Sequence, residues 1–487
     1  MTREKLSRII KSPYFISFAL WAFFSVLQVG YDSPDEHYPT LEAAGGLIFG
    51  YWNHTWEWGS GLRSWIQPFM AAAVIGPVHA LGVENRLWLD SIARLFNSVW
   101  ALGSVWAMGE LARVVWRGDK AMVRSLRYWV AVSWPLVVWG TRHGLDNFGI
   151  PPLLAGFAVL LTATNPMGLL SASALLGLAF CLRYTLALPI LAGVIGWYFL
   201  QPEPKGVSVS RIALVATGMI VSIGGLELLD AALWVKISGR FFFPPWVFFK
   251  FNILQKSGIF EASPWYLLIL YSLLFWVPPL GWLVYFQRNV RKNLSRPGLW
   301  PLVVLIFTVG SLSWVSHKEL RFIYPVLPFA ILATVPLLRG NLRRVAWIGN
   351  AVMLILSAIL YSDPHGGLVR GLDEATRIAT SAENSGLALA GITGGIPFFY
   401  MRKPLKTIWL DDEEWVKVCG GDFALLNKKE AGPKKEWIVI AQTACSTLTP
   451  QSACQYQSRI PVGPGYRLRQ LISKAKMPQY VYRCAGT

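Results

Sequence analysis

Apolar runs about 17–22 residues long, the length a helix needs to cross a bilayer, recur along this chain from residue 13 to residue 361. Composition agrees with that constraint. The 487 residues are 54% hydrophobic and only 15% charged, and a soluble chain of this length would carry more charge. The expected class is a polytopic α-helical membrane protein. Hydropathy places helices near 13–30, 87–112, 127–141, 148–163, 168–182, 185–200, 210–229, 264–286, 299–315, 322–338 and 344–361. The basic start, TREKLSRIIK, followed by PYFISFALWAFFSVLQVG, resembles a signal peptide. The apolar run is long and lacks a small-x-small cleavage site, so it reads as an uncleaved first helix.

Lysine and arginine number 45 against 27 acids, a net charge of +18. Such an excess suggests nucleic acid, but its placement points to basic loops facing the cytoplasm instead, with no nucleic-acid partner. The segment 65–83 decides the count of spans, being apolar yet interrupted by Pro68, Gly76 and Pro77. If it crosses, the basic loop 113–127 falls opposite the basic N-terminus. If it lies along the outer surface or re-enters, the basic loops 1–11, 113–127, 201–211, 287–297 and 339–344 share one side. The second arrangement is adopted and gives about eleven spans.

With that topology the chemistry-bearing pieces gather on the other, outer face. They are 31–68 within a first outer loop 31–86, 141–147, Arg183-Tyr184, the loop 227–263, and 316–321. The first is the densest. Ser33 can cap a helix, Pro34 suits its first position, and Glu36 completes a Ser-x-x-Glu capping box. Asp35 is left in the first turn, where the helix dipole favours an ionised carboxylate fit to act as a general base. A helix-start acid with no chemical role is the alternative reading. Asn53-His54-Thr55 matches a glycosylation sequon but lies inside the proposed site and is discounted.

Residues 362–487 hold no spanning run and read as a small mixed α/β extracytoplasmic domain following a transmembrane domain 1–361. TIWL, DFALLN, EWIVIA and QYVYRC read as strands, 371–383 and 465–475 as helices. Cys419, Cys445, Cys454 and Cys484 lie here with no zinc spacing, which favours disulfides, Cys445 with Cys454 being the expected pair. Cys181 reads as a small apolar residue. There is no Gly-rich phosphate loop, His-x-x-x-His pair or Gly-x-Ser-x-Gly.

Four ordered blocks resemble the polyprenyl-phosphate-mannose-dependent mannosyltransferases of GPI-anchor and N-glycan assembly, in the GT-C superfamily. They are Pro34-Asp35-Glu36-His37 followed by Gly50, Thr55-Trp56-Glu57-Trp58, Arg63-Ser64 and Pro68; Thr141-Arg142 with Asn147; Asp230 to Asn252, trailed by Pro264-Trp265-Tyr266; and His317-Lys318-Glu319 with Arg321-Phe322-Ile323 and Pro325. The resemblance runs from about residue 13 to 365. It departs at Ser33, where members commonly carry His, and at Phe148-Gly149, where they carry an acid.

The resemblance implies a GT-C-type bundle of about eleven transmembrane helices. It also implies transfer of a hexose, mannose, from a polyprenyl-phosphate-sugar donor to a hydroxyl of a glycan or glycolipid acceptor, with inversion, at the outer face. Asp35 would be the base, and Glu36 either caps the helix or orients the acceptor. The leaving lipid monophosphate needs no general acid, only cations fixed in advance. His317, Lys318, Arg321 and Arg183 are the candidates for that phosphate, the alternative being a basic cluster among lipid headgroups. Glu319 reads as a partner for one of these cations. His37, Trp56, Glu57, Trp58, Arg63, Arg142 and Asp230 are assigned to sugar and acceptor, although tryptophan also anchors at interfaces. The aromatic loop from Asp230 to Asn252 reads as a groove for the polyprenyl chain or as an interfacial anchor. No metal and no cofactor is expected; the lipid-linked sugar is a co-substrate. The competing function is a lipid or sugar transporter or flippase, which would place ionisable residues mid-membrane, as only Glu227 and Asp230 approach. Chain length and the lack of a retention tail suggest a bacterial inner membrane with the site facing the periplasm; an ER membrane with a lumenal site is the alternative.

Overall fold

The structure is a computed structural model. It describes residues 9–31, 33–200, 208–254, 262–287, 296–315, 317–362, 366–381, 383–391, 396–420, 422, 425–426, 436–442, 444–445, 454–460 and 480–485. Two compact units emerge, each assembled from separate stretches of chain. One comprises Met1–Phe24, Thr55–Gln67 and Leu95–Leu356; the other comprises Ser25–His54, Pro68–Arg94 and Ser357–Thr487.

The first unit is helical. Among the described residues of the whole chain, Val209–Ser238, Leu320–Leu337 and Gly340–Leu360 are long and apolar enough to cross a membrane, and of six shorter apolar helices one, Ile66–Ala80, falls mostly in the second unit. Without a hydrophobic drive between lipid-bathed helices, close packing comes from small residues. Gly177 on Pro166–Leu182 faces Ser222, and Gly218 on Val209–Ser238 faces Ser173, each too tightly for an added Cβ. Ser173 Oγ donates to Val215 O at 3.1 Å across that contact.

Two expected helices are broken. The run expected at 127–141 divides into Lys120–Val132 and Trp134–Gly140, because Ser133 takes an extended backbone just before Trp134-Pro135. Asn350 repairs the gap: its Oδ1 accepts from Trp134 N at 3.1 Å and its Nδ2 donates to Val132 O at 2.8 Å. The run expected at 264–286 is a helix only over Leu267–Leu274. Pro278, Pro279 and a left-handed Leu280 (φ 57°) interrupt it before a 3₁₀ segment, Gly281–Phe286. The doubtful segment 65–83 is a helix, Ile66–Ala80, that accommodates Pro77.

The second unit is built on a mixed five-stranded sheet. The strands are β1 (Ser385–Ala390), β2 (Lys406–Leu410), β3 (Glu436–Ala441), β4 (Cys454–Arg459) and β5 (Tyr480–Ala485), in the order β2-β1-β3-β5-β4. β1 runs parallel to β2 and β3, whereas β5 is antiparallel to β3 and β4. Side chains alternate between faces with period two. Leu387, Leu389, Ile438, Ile440 and Val481 pack with Val369 and Leu372 of the helix Gly366–Ile378 and with Leu41 and Ala44 of the stretch 31–86. Ala388, Ile408, Val439 and Tyr482 point the other way, onto Trp415 and Val418 of the helix Asp412–Cys419.

TIWL, EWIVIA and QYVYRC are strands as expected, and the helix expected at 371–383 is Gly366–Ile378. DFALLN lies partly outside the described residues, and its Leu425 and Leu426 are helical. The helix expected at 465–475 lies outside them entirely. The expected disulfide is corrected: Cys419 pairs with Cys445 and Cys454 with Cys484. Register explains it, because β4 and β5 are neighbours with Cys454 directly opposite Cys484, Cα–Cα 3.9 Å. Cys181 is a free, buried thiol.

Candidate active site

In the second unit, Pro34-Asp35-Glu36-His37 forms a single helical turn that passes into a π-turn, Tyr38–Glu42, and then into the helix Ala43–Phe49, closed by left-handed Gly50 (φ 79°). Pro34 at the first position starts it as expected. The capping box does not form. The Ser33 side chain makes no capping bond, and Glu36 N instead donates to Ser33 O at 3.1 Å. Glu36 turns inward, 5% exposed, toward the charge of Arg94. The attraction of a buried opposite charge outweighs one capping bond. Asp35, next along the turn, is half-buried.

Arg94 is fully buried and thoroughly engaged. Its Nε donates to Asp90 Oδ1 at 2.9 Å, Nη1 to Gln28 Oε1 at 3.2 Å, and Nη2 to Gly30 O. Tyr400 donates to Asp90 Oδ2 at 2.8 Å. His37 is stacked between Tyr31 (4.9 Å) and Tyr400 (5.3 Å), with Nε2 2.8 Å from Glu42 Oε2. Glu42, wholly buried, also accepts from the backbone N–H groups of Asn53 at 2.8 Å and of Phe398 and Phe399 at 3.0 Å. Burial pushes the Tyr31 phenol up to about 12, with the Tyr38 hydrogen bond opposing and the Glu42 and Glu36 charges adding. It therefore stays protonated at neutral pH.

The first unit holds the remaining candidates. Trp56 and Trp58, paired in the sequence, separate in the fold. Trp58 is 2% exposed and packs on Trp65 (4.4 Å) and Trp234 (5.5 Å) as core, so it offers no ring to a sugar. Trp56 is 48% exposed, with Phe251 at 5.1 Å. Glu57 receives a two-pronged grip from Arg63, Nε to Oε2 at 3.0 Å and Nη2 to Oε1. Asp230 Oδ1 accepts from Trp65 N at 2.7 Å, fixing the turn that carries Arg63. Arg183 pairs with Asp146 at 3.0 Å. Asn97 and Asn147 both donate to Arg142 O, at 3.1 and 2.7 Å, fixing the 141–147 turn.

Glu319 stands between His317 (2.8 Å) and Arg321 (2.8 Å), the pairing expected of it. Lys318 is buried; its Nζ donates to Ser263 O at 3.0 Å and Val315 O at 2.6 Å. Among the described residues, no group of three or more His, Cys, Asp or Glu side chains is placed to hold a metal ion.

Sequence reading missed Glu42, Asp90, Arg94 and Tyr400. Asp90 and Arg94 had a signal, an acid and a base four residues apart at the start of an apolar run. Tyr400 had none.

The sequence pattern of the Alg9-like mannosyltransferase family matches residues 13–362. The chain belongs to that family. A protein of Xenopus laevis described as GPI alpha-1,2-mannosyltransferase 3 is 29% identical over 393 residues, 78% of this chain and 70% of its own length. The human protein of the same description is 27% identical over 314 residues, 61% of this chain and only 52% of its own. Mannosyltransferase APTG1 of Arabidopsis thaliana is 27% identical, over 62% of this chain and 54% of that protein. Thus the chain spans about half the length of the human and plant relatives it matches. Among solved structures, ArnT from Cupriavidus metallidurans bound to undecaprenyl phosphate aligns over 96% of both chains, with a TM-score of 0.59 and 16% identity. This likeness shows a GT-C-like helical fold. The family member described here is an integral, multi-pass membrane glycosyltransferase.

Proposed function

We propose that the chain moves mannose from a polyprenyl-phosphate donor to a hydroxyl of a glycan or glycolipid acceptor, with inversion, at the outer face of the membrane. In this reading residues 1–361 form the catalytic bundle of about eleven spans and 362–487 an extracytoplasmic domain. Asp35 takes the proton from the acceptor hydroxyl as its oxygen attacks the anomeric carbon. The bond to the phosphate oxygen breaks, and the electron pair leaves with the lipid monophosphate. His317, Lys318 and Arg321, with Arg183, are assigned to that growing charge, and Trp56 and Arg63 to the sugars. Preset cations at a low-dielectric boundary stabilise such charge better than water, which must reorganise.

One observation carries the assignment of the base. Of the two adjacent carboxylates, Glu36 is buried toward Arg94, whereas Asp35 stays half-buried on a turn started by Pro34. The family match and the likeness to proteins described as GPI mannosyltransferase 3 support the substrate class. The test is to give membranes containing the chain labelled polyprenyl-phosphate-mannose and to identify the labelled product. A labelled glycolipid is expected. Movement of unaltered donor across the membrane without transfer would make the chain a transporter.

A further inference from the structure

The second unit contains a cavity of about 540 Å³ that the reaction above does not use. Its walls come from distant stretches: Phe49 and Tyr51 on either side of Gly50, His79 at the end of Ile66–Ala80, Arg86 at the start of Arg86–Val115, and Arg402 and Lys403 before β2. Glu84 is the one carboxylate residue among the lining side chains.

Arg86 is the unusual member. It is 3% exposed, and its guanidinium lies flat on Phe49, 3.3 Å from the ring centroid. Nη2 reaches Tyr51 Oη at 3.3 Å, but Nε and Nη1 have no hydrogen-bond partner among the described residues. A buried charged donor left unsatisfied costs about 1–3 kcal/mol or more, and a bare buried charge is costlier still. The other charges relieve it only in part. Arg402 repels Arg86, and Asp373, whose charge attracts it, is already gripped by Arg402 through both oxygens at 2.8 and 2.9 Å. Arg377 is occupied by Glu374. Lys403 Nζ spends one hydrogen on Ala379 O at 2.6 Å, which leaves two. The cavity is thus short of negative charge at a point where two guanidinium N–H groups lack an acceptor among the described residues. Guanidinium donors suit the oxygens of phosphate. Stacking on Phe49 fixes the plane of the group before a ligand arrives.

We propose that this cavity is a second, non-catalytic site for a phosphate group, held by an unmatched N–H of the Arg86 guanidinium with Lys403 as the supporting charge. Inorganic phosphate and the phosphodiester head group of an anionic lipid offer the same oxygens to these donors. The site does not depend on the transferase reading, since none of its residues is assigned to donor, sugar or acceptor.

Binding to the purified full-length chain in neutral detergent tests it, with two probes in parallel. Radiolabelled inorganic phosphate is followed by equilibrium dialysis, and phosphatidylglycerol adducts by native mass spectrometry. At least one probe should bind, and Arg86→Gln should weaken that binding at least tenfold. Lys403→Ala should weaken it severalfold, and raised salt should weaken it in the unaltered chain. Binding of phosphate alone identifies a small-anion site, of the lipid alone a headgroup site, and of both a general phosphate site. If neither probe binds, or if binding is unchanged in both variants, the proposal is wrong. Should Arg86→Gln not fold, unchanged binding in Lys403→Ala is sufficient to overturn it.

Discussion

The stretch after the first helix is held in two different ways along its length. Residues 34–53 are held by buried carboxylates that collect hydrogen bonds: Glu42 from His37, Asn53, Phe398 and Phe399, and Asp90 from Arg94 and Tyr400. Residues 55–67 are held by rings, Trp58 and Trp65 against Trp234, with one ion pair between Glu57 and Arg63. A carboxylate hub is directional and fixes backbone position, which suits the stretch proposed to aim a base. A ring cluster is non-directional and tolerates adjustment. The contrast teaches that two stretches close in sequence, the proposed base and the proposed sugar-facing ring among them, can rest on supports of different stiffness.

The contrast can be broken at either end. Glu42→Ala strands three backbone donors and His37, so it should cost about 3–5 kcal/mol, and Glu42→Gln should recover little of it. Trp58→Ala should cost a comparable amount, about 3–5 kcal/mol, but Trp58→Phe should recover most. Thermal unfolding in detergent compares the four, and equal rescue by both conservative changes would erase the distinction.

Glu436 in β3 sharpens the contrast on the polar side. Burial raises its pKa, but hydrogen bonds from Ser385, Thr380 and Arg483 outweigh that and hold the carboxyl at about 2. A carboxyl held below its usual 4.5 stabilises the fold fully above that value, and the contribution fades as pH falls through about 2. Glu436→Gln should cost about 1–3 kcal/mol near neutral pH. It should also flatten the acid dependence of amide exchange in β3. An unchanged acid profile would remove Glu436 as a hub.

Trp56→Ala should change stability least, by less than about 1 kcal/mol, because the ring is half exposed. Steady-state kinetics should nevertheless show a raised KM for one substrate. A melting loss as large as that of Trp58→Ala would mean Trp56 is core as well.

How far the sequence could be read follows from range. The first helix, the helix at Pro34 and three strands were legible because hydrophobic period and proline placement are local signals. The disulfides were not, since Cys454 meets Cys484 only when β5 inserts between β3 and β4. The break at Ser133 also depends on a remote partner, Asn350, which takes over the freed backbone groups. At the candidate site the residue types Asp35, Glu36, Trp56 and Trp58 were legible, but their division of labour was not. Glu36 turned inward toward the charge of Arg94, 58 residues on, and Trp58 lost its platform role to Trp65 and to Trp234, 176 residues on.

The central claim is that Asp35, and not its neighbour, is the base. Initial rates of mannosyl transfer from labelled donor by Asp35→Asn and Glu36→Gln, each beside its melting curve, test it most directly. Asp35→Asn should melt like the unaltered chain and lose roughly 10²–10⁴ in rate, whereas Glu36→Gln, which unpairs buried Arg94 from one of its acids, should melt lower. An Asp35→Asn enzyme retaining more than about a tenth of the rate would contradict the assignment.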